Sequence, residues 1–182
     1  MPETLDLLAR EIRFCTLCPL SRTRQNAVPG EGPSPARCMC IGESPGAEED
    51  RTGRPFVGRS GRFLGSVLKA SGLRREDLFI TGSLKCHPPR NREPRIGELA
   101  ACRPYLLRQI GVIRPRVIVL LGRIAIKGFM GDVALEEVRG RTFNRSGHII
   151  LPTYHPAAAM RFPAKRGPFM KDVATLSSLL RR

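Results

Sequence analysis

The sequence lacks the features of a membrane or secreted protein. No apolar run among the 182 residues approaches the ~18 that a transmembrane helix needs. Residues 1–13 carry three acids, Glu3, Asp6 and Glu11, and show no signal-peptide pattern. We therefore expect a cytoplasmic protein that does not enter a membrane. In a reducing compartment, six cysteines indicate metal binding or catalysis rather than disulfides.

Acidic residues are also scarce. Asp and Glu together number 16 against 31 Lys and Arg, which gives a net charge of +15. An excess of this size in one domain indicates a polyanionic partner, most commonly nucleic acid. An anionic membrane surface would call for a Lys-rich amphipathic helix with an aromatic face, and we find none. The absence of a linker, repeat or low-complexity segment predicts a single domain over residues 1–182.

Short apolar runs alternate with helical patterns along the chain. This order predicts a three-layer α/β fold with a mostly parallel sheet. Ligands in such folds bind beyond the carboxyl ends of the strands, which gives weight to three predicted loops, 43–59, 83–95 and 153–163. The predicted strands are 37–42, 78–82, 117–121 and 148–151, and the predicted helices are 3–14, 60–71, 98–113, 123–130 and one beginning near 168.

Four cysteines have the pattern of a metal site. Cys15 and Cys18 form a CxxC pair, and Cys86 and Cys102 each add one thiolate. Four thiolates suit zinc or a [4Fe–4S] cluster. Because zinc sites usually use two close pairs and only one pair is close here, the spacing favours iron–sulfur, with zinc as the alternative.

The other two cysteines have a different pattern. Cys38 and Cys40 lie two apart in a predicted strand and therefore share one face. A free cysteine packs as a small hydrophobe. We predict that both belong to the core.

The loop after the first strand is rich in glycine. In the run from Gly42 to Gly46, backbone N–H groups can approach a ligand closely, which places Gly42 and Ser44 beside it. Glu43 would lie at the mouth of the site. Phe56 is one of only ten aromatic residues in the chain, and it offers a stacking face for an extruded base.

The next helix begins with a basic segment. We predict that Ser60 caps this helix and that free N–H groups at Ser60 and Gly61 meet a phosphate. Arg59 and Arg62 flank them. The segment 59–62 is thus a candidate DNA-phosphate contact.

The loop after the last strand carries a histidine. His155 lies at the expected ligand rim, where it could donate a hydrogen bond to a developing anion. The apolar residues 157–160 are unusual for a loop, and this stretch, which includes Met160, could wedge into a base stack. Arg161 could then contact a phosphate.

Taken together, these residues resemble the family 4 (type-4) uracil-DNA glycosylases, the iron–sulfur branch of that superfamily. The similarity covers almost the whole chain, and it depends on the order of several motifs rather than on any one. These are CxxCPL from Cys15, GExPG from Gly42, TGRPFVG from Thr52, the Lys85-Cys86 pair before a Pro-rich basic loop, Cys102, and HPAAAMR from His155.

The resemblance implies a three-layer α/β/α sandwich with a four-stranded parallel sheet, and a [4Fe–4S] cluster on the four cysteines. It implies hydrolysis of the N-glycosidic bond of uracil in DNA. By position, Glu43 would lie near the sugar and the attacking water, Phe56 would stack on uracil and His155 would stabilise the departing anion. No lysine is placed for Schiff-base chemistry, so we expect no lyase activity. A replication clamp is the implied protein partner, and we expect a monomer.

One position departs from the family pattern. Members usually carry asparagine at the end of the second strand, where this chain has Gly82. Without that amide we expect slower removal of uracil or acceptance of another deaminated base such as hypoxanthine or xanthine. A second hypothesis is a non-catalytic iron–sulfur DNA-binding module on the same scaffold. A nucleotide-binding enzyme ranks last, because no GxGxxG or P-loop follows the first strand.

Overall fold

The structure is a computed structural model that describes residues 3–181. Its strands are β1 (Cys38–Gly42), β2 (Phe79–Gly82), β3 (Val117–Leu121), β4 (Phe143–Arg145) and β5 (His148–Thr153). They form one sheet in the order β2-β1-β3-β5-β4. The first four in this order run parallel, and β4 pairs antiparallel with β5 at the edge.

The predicted three-layer fold and its four parallel strands are confirmed, but the sheet has a fifth strand that the sequence analysis missed. Strand β4 has only three residues, of which Asn144 and Arg145 are exposed. It therefore lacks the apolar pattern by which a strand is recognised.

The helices lie on both faces of the sheet. They are α1 (Leu5–Phe14), α2 (Ala47–Thr52), α3 (Arg59–Ala70), α4 (Ile96–Ile113), α5 (Arg123–Met130), α6 (Leu135–Val138), α7 (Pro156–Arg161) and α8 (Pro163–Arg181). Helices α2 and α7 lie within segments that were predicted to be loops. Each has only six residues, too few for an apolar period to show.

Alternate strand residues divide the core in two. Cys38 and Cys40 face α3, α7 and α8, and both are almost completely buried, which confirms that they pack in the core. Met39 and Ile41 face α4, α5 and α6 on the other side. The strands are thus covered on both faces, as their continuous apolar sequences predicted.

The carboxyl ends of the parallel strands meet at one edge of the sheet. Gly42 lies opposite Gly82, and Leu121 lies opposite Thr153. The loops that follow β1, β2 and β5 are therefore neighbours in space. No helix within residues 3–181 is both long and apolar enough to cross a membrane.

Candidate active site and cysteine pocket

A cleft of about 310 Å³ opens at this edge of the sheet, within the size range of small-molecule sites. Its walls come from all three of the loops that the sequence singled out. The predicted residues that line it are Glu43, Ser44, Phe56, Ser60, Gly82 and His155.

Gly42 packs against an aromatic ring, and its contact with the base stays a prediction. It lies under the ring of Phe56, where a Cβ atom on residue 42 would come within 2.5 Å of Phe56 Cζ. Its hydrogen atom therefore makes room for the aromatic ring.

Glu43 is a half-buried carboxylate at the mouth of the cleft. Burial raises the pKa of its carboxyl group, and the nearby Glu93 carboxylate raises it further, while Arg123 acts in the opposite direction. Arg123 also binds Glu93 at 2.9 Å. The mouth of the cleft thus holds a carboxylate with a strengthened affinity for protons.

His155 caps the first turn of α7. The backbone N–H of Ala157 donates to His155 Nδ1 at 3.2 Å, so Nδ1 is an acceptor and the proton of the neutral ring resides on Nε2. Burial lowers the pKa of His155 to about 4, which keeps the ring neutral at pH 7. Nε2 lies on the side of Gly42, 3.8 Å from the position that a Cβ atom on that residue would take. The side chain therefore offers the cleft one neutral N–H donor.

Phe56 has a left-handed backbone, with φ of 51°, which is unusual for a bulky residue. Polar contacts hold the peptide groups on both sides of it. Arg75 donates to the carbonyl oxygens of Phe56 and Pro55 at 3.0 and 2.5 Å. The buried carboxylate of Glu49 accepts from the N–H groups of Val57 and Gly58 at 2.9 and 2.8 Å.

Gly61 completes this arrangement. A Cβ atom at residue 61 would lie 1.9 Å from the carbonyl oxygen of Phe56, so the close approach of this backbone requires glycine here. The phosphate contact of the Gly61 N–H group stays a prediction. We call Arg75, Glu49, Gly42 and Gly61 the Phe56 clamp. They hold the aromatic ring 5.8 Å from that of His155.

The basic start of α3 differs in detail from the prediction. Gly58 is the N-cap residue, with no side-chain cap, so the predicted cap at Ser60 is wrong. Ser60 instead lines the cleft. Arg59 and Arg62 are exposed, and Arg62 also donates to the Val57 carbonyl at 3.0 Å.

The apolar stretch after His155 is helical. Ala159 is completely buried in the core, whereas Met160 is 39% exposed and Arg161 is exposed. The helix thus gives Ala159 a place in the core and leaves Met160 and Arg161 on the surface. Their contacts with DNA stay predictions.

The sequence analysis did not predict two features near Gly82: the crowding of its backbone and the hydrogen bonds of Lys85. A Cβ atom on residue 82 would lie 2.7 Å from the carbonyl oxygen of Leu84, so the backbone fills the space where a side chain would begin. Lys85 donates to the Gly82 carbonyl at 2.9 Å, to Thr81 Oγ1 at 2.6 Å and to Gln109 Oε1 at 2.7 Å. Burial lowers the pKa of Lys85 to about 7.

Asn91 also lines the cleft and was not predicted. It comes from the Pro-rich loop after β2, has φ of 55°, and its Oδ1 lies 3.0 Å from His87 Nε2. Its position in a loop at the carboxyl end of a strand was the available signal, but the sequence alone did not distinguish it from the other polar residues of that loop.

All four predicted ligand cysteines line one pocket. Cys15 and Cys18 follow α1, Cys86 follows β2, and Cys102 projects from α4. Arg24 Nη1 donates to the sulfur of Cys86 at 3.0 Å, and its Nη2 donates to the carbonyl of Cys15 at 2.9 Å. One guanidinium therefore joins two of the cysteine-bearing segments.

This donor set fits a cluster better than a single ion. Within residues 3–181, no three His, Cys, Asp or Glu side chains converge closely enough to hold one metal ion. A [4Fe–4S] cluster binds one thiolate at each of four iron corners, which spaces its ligands more widely than those around one zinc ion. The four cysteines around the common pocket supply the four thiolates that such a cluster needs.

Fold and cleft together define an α/β enzyme that works at the carboxyl edge of a parallel sheet. The sequence profile of the Uracil DNA glycosylase superfamily matches residues 29–176. The chain is 46% identical to a type-4 uracil-DNA glycosylase of Pyrobaculum aerophilum, over 93% of this chain and 91% of that one. It is 46% identical to one of Saccharolobus solfataricus, over 98% and 87%. Its identity to one of Thermotoga maritima is 40%, over 99% and 96%. The chain belongs to the uracil-DNA glycosylase superfamily and groups with its type-4 members.

Proposed function

We propose that this protein is a monofunctional DNA-repair enzyme that hydrolyses the N-glycosidic bond of uracil in DNA and leaves an abasic site. The observation that carries the proposal is one cleft in which Glu43, Phe56 and the neutral His155 lie together, in a chain whose type-4 relatives bear this activity in their names. A net charge of +15 supports a DNA substrate.

The chemistry needs opposite charges to be stabilised on the two sides of one bond. As the bond between the sugar and the base breaks, its electron pair leaves with the base, and positive charge develops on the sugar, as in glycoside hydrolysis. Glu43 is proposed to stabilise that positive charge and orient the water that attacks the sugar. His155 Nε2–H is proposed to donate to the oxygen of the departing base, where negative charge develops.

The remaining residues of the cleft bind the base. We assign base stacking to Phe56, and polar or backbone contacts to Ser44 and Gly82. Asn91 adds an amide that can contact the base or the attacking water. Phosphate contacts are proposed for Arg59, Ser60, Gly61, Arg62 and Arg161, and Met160 is the proposed wedge.

Gly82 favours a second candidate substrate. Because residue 82 carries no amide side chain, the cleft lacks the hydrogen-bonding group at this position that would reject other deaminated bases such as hypoxanthine or xanthine. We rank uracil first, because the contacts proposed for Phe56, Glu43 and His155 do not require a base larger than uracil.

An excision panel tests both candidates. Single-stranded oligonucleotides that carry uracil, hypoxanthine or xanthine are incubated with the protein, and abasic sites are then cleaved with alkali and counted. We expect uracil to be removed fastest. Preferential removal of hypoxanthine or xanthine would establish the second candidate, and no excision of any base would favour a non-catalytic DNA-binding module.

We also propose a [4Fe–4S] cluster on Cys15, Cys18, Cys86 and Cys102. Its role would be structural: it would brace the segments that carry these cysteines, and it supplies no step of hydrolysis. The common pocket and the hydrogen bond from Arg24 to Cys86 support this proposal.

The purified protein should contain iron and inorganic sulfide in equal amounts and no stoichiometric zinc. Cys102→Ser should lose most of the iron and lower the melting temperature, because one cluster corner loses its thiolate. Cys38→Ala alters a core thiol outside this pocket and should keep its iron. Zinc without sulfide in the wild-type protein would contradict the assignment.

The sequence predictions about cellular setting remain part of this proposal. The protein would act as a cytoplasmic monomer on DNA that contains uracil or another deaminated base. A replication clamp is the proposed protein partner, on the strength of the family resemblance.

A further inference from the structure

Phe162 is an exposed aromatic side chain with no assigned role. It is 46% exposed and occupies the single residue between α7 and α8. Burial of a large apolar ring favours folding, so an aromatic ring on the surface forgoes part of that stabilisation.

Two cations lie over the ring of Phe162. The guanidinium carbon of Arg161 is 5.4 Å from the ring centroid, and Lys165 Nζ is 5.5 Å from it. A base can stack on the ring once phosphate groups draw these flexible side chains away from its face. No acid occurs from His155 to Lys171. The first one, Asp172, is buried and paired with Arg139. The charged side chains of this segment would thus attract phosphate groups.

Phe162 also lies close to the cleft, at the other end of the short helix α7 from His155. Helix α7 connects His155, which lines the cleft, to Phe162, and its six residues rise by roughly 9 Å. Met160, the proposed wedge, is exposed on the same short helix. A DNA strand whose extruded base enters the cleft would therefore have its neighbouring nucleotides within reach of Phe162.

We propose that Phe162 is a stacking platform for an unpaired DNA base near the extruded nucleotide, with Arg161 and Lys165 binding the adjoining phosphates. An aromatic face between cations is the chemistry by which proteins bind single strands without regard to sequence. This proposal rests on the proposed function, because it takes DNA to be the substrate. It extends the binding surface beyond the cleft and predicts a preference for single-stranded over duplex DNA.

The absence of tryptophan from the chain allows a direct test. Phe162→Trp introduces the sole indole fluorophore at the proposed platform. Titration with an unmodified single-stranded oligonucleotide should quench its fluorescence, whereas the same sequence as a blunt duplex should quench it much less. Leu107→Trp is the matched control, since Leu107 is 49% exposed and lies on α4, on the opposite face of the sheet. Its fluorescence should stay unchanged.

Binding measurements separate stacking from simple apolar contact. Phe162→Leu should weaken binding of the single strand by roughly 5- to 100-fold, and Phe162→Tyr should retain it. The anisotropy of a labelled oligonucleotide shows when the protein is saturated with DNA. Unchanged fluorescence of Phe162→Trp at saturation would overturn the proposal. So would a Phe162→Leu variant that binds the single strand as tightly as the wild-type protein. Because these oligonucleotides contain no uracil, failure here is distinct from failure of the excision panel.

Discussion

His155→Ala should lower the rate of uracil excision by about 10²–10³-fold, the usual loss when one donor to a developing anion is removed. The expected effect follows from the tautomer: Ala157 N–H occupies Nδ1, so the Nε2–H is the donor available to the departing base. Excision is to be measured in single turnovers, so that slow product release does not conceal the loss. His148→Gln alters a histidine at the start of β5, outside the cleft, and should keep its rate.

The free energy of unfolding should depend on the protonation state of His155. Burial depresses the folded-state pKa of His155 to about 4, from an ordinary value of 6.5. Between pH 6.5 and 4 the unfolded chain therefore binds a proton that the folded chain does not, so stability falls as the pH falls through that window. His155→Ala should lose this part of the pH dependence in urea unfolding.

An alanine variant that keeps nearly all of its excision rate would contradict the assignment of His155 as the donor.

Glu43→Gln should reduce excision by about 10²–10³-fold, within the range for loss of an acid–base group. The amide keeps the shape of the side chain but removes the negative charge that opposes the charge on the sugar. Since the pKa of Glu43 is raised, wild-type excision should fall with decreasing pH at a higher pH than an ordinary carboxylate would give. The variant should lack this decline. Glu48→Gln, at an exposed residue paired with Arg51, is the control and should keep its rate.

Glu43→Gln should lower the excision rate but raise the stability of the protein. A raised pKa means that the folded protein disfavours the ionised carboxylate, so stability decreases as the pH rises through the pKa of Glu43. The neutral amide escapes this effect, and Glu43→Gln should unfold at a slightly higher urea concentration at neutral pH. A variant that is both active and no more stable would refute the proposed role of Glu43.

The sequence was most informative where the fold itself brings residues together. Glu43, Gly82 and His155 follow three parallel strands, and the carboxyl ends of parallel strands share one edge. Their meeting in one cleft was therefore predictable from the strand pattern. The meeting of the four cysteines was predictable on another ground, because a CxxC pair and two further cysteines are the ligand set of one metal centre.

Contacts that depend on backbone geometry were not predictable. Arg75 lies in a basic, polar stretch, and nothing in the sequence indicates that its guanidinium meets the carbonyl groups of residues 55 and 56. Gly61 has the pattern of a phosphate contact, yet it is required by the close approach of the Phe56 backbone. The short helices α2 and α7 were missed because six residues give too little periodicity for helical patterns to be recognised.

Because of the Phe56 clamp, the backbone at Phe56 loses its conformational freedom when the chain folds and not when a base binds. A left-handed conformation at a bulky residue costs about 1–3 kcal/mol, and the hydrogen bonds of Arg75 and Glu49 offset that cost as the chain folds. A base that enters the cleft therefore meets a ring whose backbone is already immobilised, and binding does not have to order it. The strain resides in the empty enzyme, so the affinity for the base is set in part before any DNA arrives.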